Sequence, residues 1–177
     1  MARSLSIVAM LMAFAAVLAA CRTVPASVDA AAALPGGLAL QQRLTFVREG
    51  RRDTIDALVE VDAAEVRVVA HAQGQVALRF TWNGETLTQV RDERLPAAVQ
   101  AARVLDELQF AYWPIAAIAA ALPAGWTLDG EAAHRVLRHR DVSTPVLEVT
   151  HRDDGTVRLV YPGQGWELHI ESRAVTP

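Results

Sequence analysis

Residues 73–91 read QGQVALRFTWNGETLTQVR, and the fold turns on them. Val76, Leu78, Phe80 and Trp82 fall on alternate positions. Residues two apart share one face of a strand, so this segment is a half-buried strand with its apolar row turned inward. Asn83-Gly84 follows at once. Both residues tolerate positive φ, which predicts a two-residue hairpin turn. The segment 85–91 is then the returning strand; it carries fewer apolar residues and belongs near a sheet edge. Short turns impose antiparallel pairing, because a parallel pair needs a long crossover.

The same period of two runs upstream. Leu38, Leu40, Leu44 and Phe46 share one face, with Gln41, Arg43 and Thr45 on the other. Residues 50–53 read as a turn. Ile55, Ala57, Val59 and Val61 then alternate with Thr54, Asp56, Leu58 and Glu60. Residues 62–65 turn the chain again, and Val66, Val68 and Ala70 lead into the turn at 73–75. Five strands therefore follow one another as a meander.

Downstream the period becomes helical. Pro96 suits a first helical turn. Ala97, Ala101, Val104, Leu105, Leu108 and Tyr112 form an apolar stripe, with Gln100, Arg103, Asp106 and Glu107 on the opposite, solvent-directed face. Arg103 and Glu107 stand four apart and can pair. Pro114 stops this helix. The segment 115–122 holds only Ile, Ala and Leu, so it is expected to be buried or to lie over an apolar cavity. Residues 123–126 end it. The chain returns to strands at roughly 133–140, 146–151, 156–161 and 165–173. The expected fold is α+β and mainly antiparallel β: an incomplete β-barrel of about nine or more strands, plugged or lidded by the helical insert.

A length of 177 residues allows one domain, with a tail. A hydrophobic fraction of 52% and a charged fraction of 21% exclude a disordered chain. The 17 basic residues, all Arg, face 20 acidic ones, for a net charge of −3. With no basic cluster, nucleic acid is not the expected partner. Cys21 is the single cysteine, so no intrachain disulfide and no multi-cysteine metal site can form. Arg3 precedes an unbroken apolar run at 7–21. That run has the length of a signal-peptide core and is too short for a comfortable bilayer span of about 20 residues. It ends Leu18-Ala19-Ala20-Cys21, which looks like the lipobox of bacterial lipoproteins. The resemblance implies cleavage before Cys21 and acylation of its thiol. The chain then divides into a signal peptide (1–20), an acylated tether (21–36) and one β-rich domain (37–175). Arg22, rather than Asp, follows the cysteine; the resemblance makes Arg22 a sorting residue and implies export to the periplasmic face of the outer membrane.

Two further segments carry a resemblance: Glu107-Leu108-Gln109-Phe110-Ala111-Tyr112-Trp113-Pro114 and Gly165-Trp166-Glu167-Leu168-His169-Ile170. Both look like an uncharacterised family of bacterial lipoproteins often encoded beside aryl-polyene biosynthesis genes. The whole pattern of lipobox, meander, helical insert and terminal meander resembles the periplasmic lipoprotein carrier and outer-membrane receptor fold. That resemblance covers about residues 34–175 and implies an apolar cavity inside a helix-plugged, unclosed barrel. It departs at one place. The receptor's protruding apolar loop has no counterpart in the turns at 50–53, 62–65 or 73–75, so the resemblance implies the fold and not the hand-off of acyl chains to a membrane.

No catalytic constellation stands out. His134 and His139 lie on opposite faces of a strand. His151 and His169 can approach across a sheet but have no ligand spacing. Ser27, Ser143 and Ser172 lack a nucleophile-elbow motif. Asp92-Glu93 and Asp153-Asp154 are sequence-adjacent turn acids, and Gly163 and Gly165 open no helix. The expectation is a non-enzymatic protein with no metal and no cofactor. Candidate lining for an apolar ligand comes from Phe80, Trp82, Leu108, Tyr112, Trp113, Ile115, Ile118, Leu122, Trp126 and Trp166, although plain core packing predicts the same residue types. The expected function is to bind or help deliver an apolar chain, whether lipid, acyl or polyene. Its partners would be the membrane, through the lipid anchor, and the lipoprotein export machinery. A structural module of an envelope assembly, with no ligand of its own, is the alternative.

Overall fold

The computed structural model describes residues 34, 37–95 and 99–175. The lipobox, Cys21, Arg22 and the helical start at Pro96 and Ala97 lie outside the described residues. The meander forms as the alternation requires: β1 (Leu38–Arg48), β2 (Arg51–Val61), β3 (Val66–Ala72), β4 (Gln75–Trp82) and β5 (Leu87–Arg91). Two helices follow, α1 (Ala101–Tyr112) and α2 (Ile115–Ala121). The chain then makes β6 (Trp126–Gly130), β7 (His134–His139), β8 (Leu147–His151), β9 (Val157–Tyr161) and β10 (Trp166–Ala174). All ten strands join one antiparallel sheet in the order β5-β4-β3-β2-β1-β10-β9-β8-β7-β6.

The two meanders meet where the first strand pairs with the last. β1 and β10 run in register from Leu40 opposite Ala174 to Arg48 opposite Trp166. This closure joins residues more than a hundred positions apart. The sheet itself is not closed: β5 and β6 are its two edges and do not pair with each other. Among the described residues the architecture is thus an open, mainly antiparallel α+β fold of ten strands and two helices.

Several local expectations need correction. The first hairpin does not turn at 50–53. Arg48 pairs with Arg51, leaving a two-residue turn of Glu49 and Gly50. Both have positive φ, 49° and 77°, as a turn matched to strand twist requires. Asn83-Gly84 is not a two-residue turn, since Trp82 pairs with Leu87 and four residues intervene. The Asn83 side chain accepts the amides of Glu85 at 3.1 Å and Thr86 at 2.8 Å, so an Asx turn outcompetes the tighter hairpin. Asp62 does the same with Ala64 and Glu65. α1 begins at Ala101, with Gln100 still extended. β6 was not foreseen, because the segment after Pro123 reads as a loop; β6 exists by pairing with β7. At its end Gly130 has φ of 113°, and a Cβ there would fall 2.2 Å from the His134 carbonyl.

α2 is not buried all round. Ile118 is fully buried, while Ala116, Ala119 and Ala120 face solvent. Alanine has little apolar area to expose, so this costs little. The helix packs against the edge strand β6, which shields that edge from other chains. We expect Ile118→Ala to destabilise the fold by about 2–5 kcal/mol through lost burial and a residual void. Urea unfolding of wild type and variant checks this, and a loss below about 1 kcal/mol would show that Ile118 does not fasten α2 to the sheet.

Candidate functional site

α1 lies across the inner face of the sheet and is fastened at three levels. At its start, the Gln89 side-chain oxygen accepts the Ala101 amide at 3.0 Å. At its end, the Arg135 guanidinium donates to the carbonyls of Phe110 at 2.8 Å and Trp113 at 2.7 Å. A cation there also faces the negative end of the helix dipole. Burial alone pulls the Arg135 pKa down. Near the helix end, Gln42 donates to the Tyr112 hydroxyl at 2.8 Å and to Ser172 at 3.3 Å, and the two hydroxyls stand 2.9 Å apart. Burial raises the Tyr112 pKa against the pull of these bonds.

Between α1 and the inner faces of β1–β4 and β10 lies a cavity of about 370 Å³. Its walls are Leu44, Ile55, Ala57, Val59, Val68, Ala70, Leu78, Leu168 and Ile170. It opens where the β1–β2 and β3–β4 turns and the loop after β5 converge, because Thr54, Gln73, Gln75 and Arg94 both line it and are exposed. Arg94 spans part of that mouth, donating to Gln75 at 2.8 Å and pairing with Asp92. The Arg94 contact holds the Asp92 carboxyl down at about 2. Gln42 marks the deep end: it pairs with Ala57, four residues further from the turn than Phe46.

The helix wall is built from Gln100, Arg103, Val104, Glu107 and Leu108. Arg103 and Glu107 were expected on the solvent face. Instead each side chain is only 12% exposed, and the pair forms at 3.3 Å against the cavity. The Tyr161 hydroxyl donates to the same Glu107 oxygen at 3.0 Å. Burial pushes the Glu107 carboxyl up, and Arg103 and the Tyr161 bond pull against it. The Arg103 guanidinium sits over the rings of Tyr161 (5.2 Å) and Trp166 (5.8 Å). Those two rings stack on each other at 4.2 Å and 13°.

Of the ten candidate lining residues, the cavity uses Leu108 and Trp166. Phe80, Trp82, Trp113 and Ile118 are buried core residues and do not line it. Tyr112 acts through its hydroxyl on Gln42, and Trp126 lies against the His139 ring at 4.8 Å. Ile115 and Leu122 pack on the core beside α2 and likewise do not line it. The helical lid expected at 115–122 is therefore α2 covering an edge; the helix over the cavity is α1. His151 faces α1, whereas His169 is bonded to Glu167 at 3.1 Å on the other face, so these two histidines do not meet. Among the described residues, no three His, Cys, Asp or Glu side chains gather as a metal cage, and no helix is long and apolar enough to cross a membrane.

The unclosed antiparallel sheet thus carries a helix over an apolar cavity whose volume falls within the range of about 300 to 1,000 Å³ typical of small-molecule pockets. In sequence, residues 39–174 match the profile of an uncharacterised family described as "Protein of unknown function (DUF3261)". The chain belongs to that family. No curated protein matches it.

Glu107 gives the site a pH signature. Its folded pKa is raised above the ordinary 4.5, so the stability it contributes is full below that value and is lost as pH rises through the folded value. Glu167 works in the opposite window. Arg158 holds its pKa down at about 2, so its contribution is present above 4.5 and fades as pH falls toward 2. We expect Glu107→Gln to flatten the decline above pH 4.5 and leave the acid limb intact. Denaturant unfolding at a series of pH values measures both limbs, and an unchanged upper limb would place the raised carboxyl elsewhere.

Proposed function

We propose that this is a non-enzymatic lipoprotein that holds an apolar chain in the cavity beneath α1. Cys21 would be acylated and anchor the domain at the periplasmic face of the outer membrane, with residues 22–36 as its tether. The observation that carries the reading is the cavity of about 370 Å³ with a mostly apolar wall and an exposed mouth. An empty apolar space of this size forfeits packing, so a fold keeps it where something fills it. A single ten-stranded antiparallel sheet with a helix on one face and two unpaired edge strands supports the reading of an incomplete barrel in the manner of periplasmic lipoprotein carriers. The aliphatic wall fits a lipid, acyl or polyene chain, and the lipoprotein export machinery would place the protein.

Filling the cavity tests this directly. Ala70 is buried with its side chain on the cavity wall. Ala70→Phe should lower affinity for a fluorescent long-chain probe at least about tenfold, with the melting temperature held or raised, because the ring takes up open space rather than displacing packed atoms. Organic extraction of the purified wild type, followed by mass spectrometry, should release a long-chain molecule that the variant lacks. A wild type that carries no such molecule and binds no probe leaves only a structural module of the envelope. The anchor has its own check: Cys21→Ser should abolish labelling by radioactive palmitate, and Arg22→Asp should shift the protein toward the inner membrane on a density gradient. Continued labelling of the serine variant would remove the lipobox reading, and an unmoved membrane fraction would remove the sorting role of Arg22.

A further inference from the structure

The cavity wall carries charge where an aliphatic chain alone needs none. Asp53, Asp92 and Arg94 belong to the mouth, but Arg103 and Glu107 face inward and are nearly covered, at 12% exposure each. Burying an ion pair costs desolvation that well-packed apolar residues of the same volume would avoid, so its presence on a ligand-facing wall calls for a ligand that uses it. The Arg103 guanidinium carbon lies 5.2 Å from the Tyr161 ring centroid and 5.8 Å from that of Trp166, alongside the stacked pair, and its Nε bonds Glu107 at 3.3 Å. That fixes a planar, permanently charged donor fork on the wall before any ligand arrives, and the shape matches a carboxylate. Beside it, burial pushes the Glu107 carboxyl up, which lessens its repulsion of a second carboxylate on the same wall. Below the pair the wall is aliphatic down to Gln42: Leu44, Ile55, Ala57, Val59 and Ile170.

We propose that the cavity takes a single-chain carboxylic acid, its head on Arg103 beside Glu107 and its tail among these aliphatic side chains toward Gln42. The proposal rests on the reading that the cavity holds an apolar chain, and it adds the head group and the direction of entry. The tail fills the deep end and the head stays near the mouth, because Tyr161 and Trp166 stand where β9 ends and β10 begins, at the end of the sheet that carries the β1–β2 and β3–β4 turns.

Calorimetric titration of the full chain with dodecanoic acid, dodecanol and methyl dodecanoate separates the two claims. Wild type should prefer the acid by about ten- to a hundredfold, the value of a charge-assisted hydrogen bond. Arg103→Gln should cancel that preference, read as the ratio of acid to alcohol affinity within the variant. Arg103→Lys, which keeps the charge and loses the fork, should retain part of the preference and serves as the readout if the glutamine variant fails to fold. Equal wild-type affinity for acid, alcohol and ester, or a preference that survives Arg103→Gln, overturns the head-group assignment and leaves chain binding standing. Failure of wild type to bind any of the three overturns both.

Discussion

The structure depends on a mismatch between one helix and one sheet. Ten strands about 4.8 Å apart make a surface over 40 Å wide before curvature. A helix of 12 residues is about 18 Å long and cannot cover it. On one side the deficit is made up by large side chains: Trp113 and Ile118 from the helical segment, with Leu137, Leu147, Val149 and Leu159 from the strands, all almost fully buried. On the other side the strands β1–β4 present smaller residues such as Ala57, Val59, Val68 and Ala70, and the deficit remains as open space. The cavity is the uncovered part of an apolar face.

Apolar contact alone would not hold a helix at one setting over such a surface, because the hydrophobic effect has no direction. Polar contacts supply the direction. Gln89 meets the first turn of α1, Arg135 the last carbonyls, and Gln42 with Ser172 the Tyr112 hydroxyl. Each joins α1 to a different strand, β5, β7 and then β1 with β10, so the helix is located from one edge, from the strand beside the other edge and from the centre of the sheet. Burying Arg135 is costly, and two short carbonyl bonds at the negative end of the helix offset much of that cost. The Arg103–Glu107–Tyr161 contacts add a further tie to β9 and at the same time place charge on the cavity wall.

Strand content was legible because period-two alternation and hairpin turns are local: nine of the ten strands were placed, β5 by the turn before it and not by a period of its own. β6 was not placed, since five residues after a Pro-Ala-Gly break carry no period of their own and depend on β7. Turn chemistry was partly legible: the positions of Asp62 and Asn83 were seen, but not that an Asx side chain would widen the hairpin. Gln42 was hidden in plain view. It stands on the same parity as Leu40 and Leu44, and a polar residue on an apolar row is a sign of a buried hydrogen-bond partner. Arg135 carries the same sign, on a row with Leu137. The charged face of α1 misled most, because a stripe of Arg and Glu on an amphipathic helix is normally turned to water. What overrode it lies 54 residues away at Tyr161, a separation that no local pattern can report.

A closed barrel has its bore set by strand number and stagger, and changing that bore means adding or re-registering strands. With β5 and β6 left unpaired, the ten-stranded sheet has no such fixed girth. Its capacity depends on the side chains that line it, those at 100, 103, 104, 107 and 108 on the helical side among them. Point substitutions along one helical face are then enough to change the size and lining of the pocket, while the strand framework stays the same. A change of pocket size in this fold needs substitutions and no change of architecture.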